Sequence, residues 1–150
     1  MSAEKLRLFQ TKWCSADYPP DVVSESALLK AGEQLAWQVP EDYSQAVLEV
    51  GLPQPTIALL NTIVDNELDV FDLSEFLNPE AIVERTIGWR EIGLPEHLVA
   101  FASDSSGNLF AFCKESPSKP SEVWIWDHDF NEVEKLASSF GQWLDGYLAI

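Results

Sequence analysis

The sequence predicts an α+β fold in a single domain, with a mainly antiparallel sheet flanked by helices. Apolar residues with helical spacing occupy the first half of the chain, and short β-branched and aromatic runs separated by turn residues occupy the last third. Helices and strands do not alternate regularly, so a parallel sheet is not expected. With 150 residues, of which 46% are hydrophobic, the chain can close one sizeable core.

Two helices are predicted in the first third of the chain. The first begins near Ser24 and ends near Trp37. The side chains that it is expected to bury are Leu28, Leu29, Ala31, Leu35 and Trp37. The second begins at Pro40, a residue suited to the first helical position, and ends at Gly51, since glycine commonly ends helices.

The middle of the chain is less regular. Pro53 and Pro55 interrupt it, and residues 56–64 form an apolar run that periodicity does not assign to helix or strand. Asn78-Pro79-Glu80 then predicts a helix start, with the helix continuing over residues 81–89. The secondary structure of the segment between these two runs stays open.

A β-hairpin is predicted next. Leu98–Ala102 and Asn108–Cys113 are apolar segments, and Asp, Ser and Gly residues between them favour a turn. Glu122–Asp127 predicts a further strand, which is covered on both faces because its apolar side chains occupy both alternating positions.

The last twenty residues or so predict a terminal amphipathic helix that packs on the sheet. From Asn131 onward the apolar residues fall at helical spacing, and polar residues occupy the other faces. The apolar residues of this predicted helix are Val133, Leu136, Ala137, Phe140, Trp143, Leu144 and Tyr147.

Several short motifs follow one another along the chain in a fixed order. They are Leu35, Val39-Pro40-Glu41-Asp42-Tyr43, Val47-Leu48, Gly51, Leu94-Pro95, Ser106-Gly107-Asn108 and Ala137-Ser138-Ser139-Phe140. In this order they resemble the SUKH superfamily, the Smi/Knr-type domains. The resemblance spans about residues 22–148 and implies an SUKH-like domain core, with residues 1–21 as an N-terminal extension of the single domain.

The resemblance also implies a function, that of a protein-binding module with no catalytic residues to carry over. Bacterial members are commonly inferred to be immunity proteins that neutralise toxins, and fungal Knr/Smi relatives act in cell-wall regulation and signalling. The leading hypothesis is therefore a bacterial immunity protein that binds and neutralises a toxin. A regulatory scaffold acting in the cell envelope or in signalling is the alternative.

The charge balance indicates the kind of partner. Twenty-five acidic residues against nine basic ones give a net charge of -16, which argues against nucleic acid or an anionic membrane as ligand. A basic toxin domain, such as a basic nuclease, or a regulatory protein fits this charge better. The oligomeric state stays open.

Acidic residues concentrate between residues 65 and 84, where no lysine or arginine occurs before Arg85. Apolar residues alternate with them, so the segment could bury one side and present carboxylates to a partner. A solvated face that only keeps the protein soluble is the alternative. The candidate partner-binding residues are Asp65, Glu67, Asp69, Asp72, Glu75 and Trp89.

No catalytic residue, cofactor or metal site is predicted. The sequence contains no Gly-x-Ser-x-Gly motif, phosphate-binding loop or dinucleotide fingerprint. Asp127-His128-Asp129 contains apt metal ligands, but neighbouring residues on a strand point to opposite faces. We therefore expect these three side chains not to converge, and interpret the segment as a turn at the end of a strand.

The remaining features predict a cytoplasmic protein. Met1–Gln10 lacks the apolar core of a signal peptide, and no apolar run approaches the roughly 18 residues of a membrane span. Cys14 and Cys113 are expected to be free thiols in a reducing compartment, with Cys113 as a small core residue.

Overall fold

The computed structural model describes residues 2–114 and 121–150 of the chain. The helices in this part are α1 (Ser2–Trp13), α2 (Glu25–Leu35), α3 (Glu41–Val50), α4 (Ile57–Asp65), α5 (Pro79–Arg90) and α6 (Phe140–Leu148). The strands are β1 (Glu75–Phe76), β2 (Leu98–Ser103), β3 (Leu109–Cys113), β4 (Val123–Asp127) and β5 (Glu132–Ala137). In these ranges no helix is both long enough and apolar enough to cross a membrane.

The five strands form one antiparallel sheet in the order β1-β2-β3-β4-β5. The predicted α+β class is therefore confirmed. The predicted hairpin is β2 and β3, and the predicted strand over 122–127 is β4. These three strands are easy to recognise from sequence because almost all of their side chains are buried.

The predicted terminal helix is wrong in its first half. Residues 132–137 form strand β5, which pairs with β4 so that Val133 lies opposite Trp126. Helix α6 begins only after Ser139, whose side-chain oxygen accepts a hydrogen bond from the backbone N–H of Gln142 at 3.1 Å. Helix α6 itself packs on the sheet as predicted, with 5.1 Å between the ring centroids of Trp143 and Phe110.

The other predicted helices are confirmed as α2, α3 and α5. Ser24 and Asn78 cap α2 and α5 through side-chain oxygens that accept backbone N–H groups. Four of the five side chains expected on the first predicted helix are buried, but Leu29 is 60% exposed and points to solvent. The undecided run 56–64 is helix α4, which Thr56 caps in the same way.

The core lies between the sheet and the helices on each of its faces. Phe110 pairs with Ile125 of β4, and paired residues point to the same face of the sheet. Trp126 is the next residue after Ile125, so it points to the opposite face from Phe110. Helix α6 covers the Phe110 face, and α5 covers the other, where the Trp89 ring packs edge-on against Trp126 with 5.5 Å between centroids.

Helix α1, which lies in the predicted N-terminal extension, completes the core. It packs against α3 and α6, and its Leu6 and Phe9 have no exposed surface. Phe9 makes edge-to-face contacts with Phe76 and Tyr147 at centroid distances of 5.9 and 6.0 Å.

Candidate functional site

Acidic side chains from three separate segments meet at the end of the sheet that carries the β2–β3 turn. The segments are the loop after α4, the β2–β3 turn itself, and the β4–β5 turn. We call this surface the acidic end and define it by Asp72, Asp104, Asp127 and Asp129. It joins polar side chains from distant parts of the sequence through the following contacts.

Asp72 ties the loop after α4 to the β2–β3 turn. Its Oδ1 accepts a hydrogen bond from the Ser105 hydroxyl at 3.0 Å, and its Oδ2 accepts one from the Ser105 backbone N–H at 3.3 Å. These two residues are 33 positions apart in sequence. We call residues 65–72, which comprise the last residue of α4 and the loop after it, the acidic loop. This contact fixes the last residue of the acidic loop against the sheet.

Asp104 lies beneath this contact and is only 5% exposed. Its carboxylate accepts hydrogen bonds from the backbone N–H groups of Ser106 and Asn108 at 2.9 and 2.8 Å, and from the Asn108 amide at 3.0 Å. Burial raises the pKa of the Asp104 carboxyl above its ordinary value, the three hydrogen bonds oppose the rise, and the nearby charge of Asp72 adds to it.

Asn108 links Asp104 to His128 through hydrogen bonds. Because the Asn108 amide nitrogen donates to Asp104, its oxygen faces His128 and accepts a hydrogen bond from the ring Nδ1–H at 3.0 Å. The other ring nitrogen, Nε2, lies 3.4 Å from a carboxylate oxygen of Asp129. The hydrogen bond from Asn108 to Asp104 fixes the Asn108 amide, and the hydrogen bond from His128 to Asn108 then fixes the orientation of the imidazole.

Gly107 allows the turn to lie close to this imidazole. Its φ of +91° is a conformation that other residues rarely adopt, and a Cβ at this position would lie 3.2 Å from Cε1 of His128. The ring of His128 also packs against Trp89 at 5.5 Å and Trp126 at 6.5 Å between centroids. Trp89 therefore lies at the rim of the acidic end, through its contact with His128.

The expectation that Asp127, His128 and Asp129 would not converge is wrong. One potential ligand atom from each lies within 4.8 Å of the others. Strand β4 ends at Asp127 and residues 128–131 form a turn, so strand alternation no longer applies. Asp127 Oδ1 accepts the backbone N–H groups of Asp129 and Phe130 at 2.9 and 3.2 Å. The turn predicted at the end of this strand is therefore confirmed.

The structure brings together only some of the predicted partner-binding residues. Asp72 belongs to the acidic end and Trp89 lies at its rim. Three others are exposed, with Asp65 at the end of α4 and Glu67 and Asp69 on the loop that follows it. Within the described residues, these three form no ion pair.

Glu75 is the exception among the predicted residues. It lies in β1 and accepts a hydrogen bond from the Arg85 guanidinium at 2.7 Å. Its charge is therefore offset by a neighbour on α5. The sequence pattern does not reveal this, because Arg85 is ten residues away.

One of the two cysteines, Cys14, has a thiol of low reactivity. Cys14 is half-buried, and burial raises the pKa of its thiol to about 12. The thiol therefore stays protonated at neutral pH and is a poor nucleophile.

Comparison with known protein families identifies the family of the chain. The model of the SMI1 / KNR4 family (SUKH-1) matches residues 22–146. The matched range contains all residues of the acidic end and excludes α1. The comparison with curated proteins gives no match.

Proposed function

The chain belongs to the SMI1 / KNR4 family (SUKH-1), and on that basis we propose that it is a non-enzymatic protein-binding module. In this proposal it is an immunity protein that binds a basic toxin domain, such as a basic nuclease, and neutralises it. The proposal places it in the cytoplasm, where such a nuclease would act. The observation that carries the proposal is the acidic end, presented beside an exposed acidic loop.

The acidic loop 65–72 suits the first encounter with a basic partner. Asp65, Glu67 and Asp69 are exposed, and within the described residues no cation neutralises them. A protein with a net charge of -16 attracts a cationic surface over long range. Such electrostatic steering raises association rates by about 10 to 1,000-fold at low salt.

The acidic end suits the complex that follows. The partly exposed carboxylates of Asp72 and Asp127 are held by hydrogen bonds, so little side-chain entropy is lost when a partner binds them. A nuclease must expose cations to hold the phosphates of its substrate. Carboxylates set against those cations would occupy the same groove and block the substrate.

The test uses the product of the adjacent upstream gene, which is the partner that this proposal designates. Co-expression with our chain should relieve the toxicity of that product, and a purified pair should associate with a rate that falls as salt rises. No relief of toxicity, or an association rate independent of salt, would contradict the proposal.

A matched pair of variants distinguishes a specific role of the acidic loop from an effect of the net charge. Asp65→Asn, Glu67→Gln and Asp69→Asn together should slow association about tenfold at low salt. The control removes three exposed charges elsewhere, at Asp17, Glu41 and Glu91. We expect this control variant to slow association by less than about threefold. If both triple variants slowed association equally, the acidic loop would be only a solvated face without a specific role in binding.

The family also supports a second candidate, a regulatory scaffold of the Smi/Knr type acting in the cell envelope or in signalling. Affinity purification of the chain from its own cells should then recover a resident regulatory protein, and the adjacent gene product should not be bound. This result would replace the immunity role while retaining a protein-binding role.

A further inference from the structure

A groove of about 480 Å³ lies beside the acidic loop, between residues 69–71 on one side and β5 and α6 on the other. Trp143 and Tyr147, which are 5% and 4% exposed, form its floor. Val70 and Phe71 form one wall and are 43% and 37% exposed. The groove therefore offers apolar surface to a ligand while its floor belongs to the core.

One wall of the groove is fixed to its floor. The Tyr147 hydroxyl of α6 donates a hydrogen bond to the Phe71 carbonyl oxygen at 2.9 Å. Burial, followed by the nearby charges of Asp72 and Asp104, raises the pKa of the Tyr147 hydroxyl, so it remains a donor at neutral pH. A ligand would thus enter a groove in which the wall formed by Val70 and Phe71 is already held in place.

Two carboxylates from different segments, Asp69 of the loop after α4 and Glu134 of β5, line the groove, and among the described residues no cationic one lines it. Within residues 2–114 and 121–150 neither carboxylate forms an ion pair. Lys135 follows Glu134 in β5, but it points to the other face of the strand and pairs with Glu122 at 2.8 Å.

From this combination we infer that the groove is a subsite for an arginine side chain of the partner protein. The arginine stem would lie along Phe71 and Leu136, and its guanidinium would lie between Asp69 and Glu134. Arginine suits the groove because its guanidinium is weakly hydrated and stacks on aromatic faces while it binds carboxylates. The inference rests on the proposed function, since it assumes a basic protein partner.

The probe is a short peptide, acetyl-Thr-Arg-Thr-amide, and the measurement is NMR titration of the ¹⁵N-labelled chain. The backbone amides of residues 69–71 and 134–137 and the indole N–H of Trp143 should shift and saturate. The dissociation constant should be on the order of 1 mM, as for a ligand of this size. The same peptide with citrulline in place of arginine, which keeps the shape and loses the charge, should produce no saturable shift in these signals.

Two double variants decide whether the subsite or the general charge binds the peptide. Asp69→Asn with Glu134→Gln should weaken binding at least about fivefold. Asp17→Asn with Glu91→Gln removes the same number of charges from exposed positions outside the groove and should leave binding within about twofold of wild type. Equal weakening by both pairs, shifts that map elsewhere, or equal binding of the citrulline peptide would overturn the inference.

The peptide result can also be distinguished from a failure of the proposed function. Peptide shifts in the groove without binding of the adjacent gene product would support the subsite and contradict the designated partner. If that gene product is bound and neutralised equally by wild type and by the Asp69 and Glu134 double variant, the proposed function stands and the arginine subsite is wrong.

Discussion

Opposing electrostatic effects act on the pKa of Asp104. Burial and the charge of Asp72 disfavour its carboxylate, while hydrogen bonds from Ser106 and Asn108 favour it. Burial dominates, so the folded protein binds a proton at Asp104 more readily than the unfolded chain does. The sign of the resulting pH dependence follows directly from this difference.

We predict that Asp104 makes the protein less stable as pH rises. Above the ordinary carboxyl pKa of 3.8 the unfolded chain loses this proton first, and the contribution to the free energy of unfolding falls until pH exceeds the raised pKa of the folded state. Urea unfolding of wild type and Asp104→Asn should be measured from about pH 3.5 to about pH 7. The free energy of unfolding of wild type, minus that of the variant, should fall with pH.

Asp17→Asn serves as the control for Asp104→Asn, since it removes one exposed negative charge away from the acidic end. Subtracting its effect corrects for the general repulsion within a chain of net charge -16. A wild-type advantage over Asp104→Asn that instead grows with pH would show that hydrogen bonding to the carboxylate outweighs its burial.

At the scale of single elements, predictability depended on how completely an element is buried. Strand β4 has apolar residues on both faces and was correctly predicted, whereas the edge strand β5 carries Glu132, Glu134 and Lys135 and shows no clear alternation. Its remaining apolar residues happened to continue the helical spacing of α6. The capping pattern of Ser139 and Gln142 was the available signal that the helix begins later.

The end of α3 gives a prediction at this scale. Gly51 has φ of +96°, and a Cβ there would lie 2.7 Å from the carbonyl oxygen of Asp21. Gly51→Ala should therefore lower the free energy of unfolding by about 1–3 kcal/mol. Gly88 lies in α5 with open space around it, so Gly88→Ala should raise the free energy by about 0.5–1 kcal/mol. Chemical denaturation measures both, and equal effects would contradict the conformational explanation.

At the scale of the whole molecule, the α+β class and the central hairpin followed from local patterns, but the acidic end did not. Its contacts join Asp72 to Ser105 and Asn108 to His128, which are far apart in sequence. Composition indicated an acidic binding surface, and only the strand order shows which carboxylates share it. Glu75 illustrates the limit, since its neutralisation by Arg85 depends on how β1 and α5 pack.

Helix α1 supplies a prediction for the whole core. Phe9 has no exposed surface, so Phe9→Ala should lower the free energy of unfolding by about 3–5 kcal/mol. Leu8, its neighbour on the same helix, is 51% exposed, and Leu8→Ala should change the free energy by no more than about 0.5 kcal/mol. Denaturation with urea measures both, and a loss for Phe9→Ala no greater than for Leu8→Ala would show that α1 does not stabilise the core.

The packing of α1 has a practical consequence for binding experiments. A recombinant fragment limited to the matched residues 22–146 would uncover the surfaces of α3 and α6 that this helix covers. Newly uncovered apolar surface adheres to many proteins without specificity. Interaction screens made with such a fragment would report adhesive partners together with genuine ones, and the full chain is the appropriate bait.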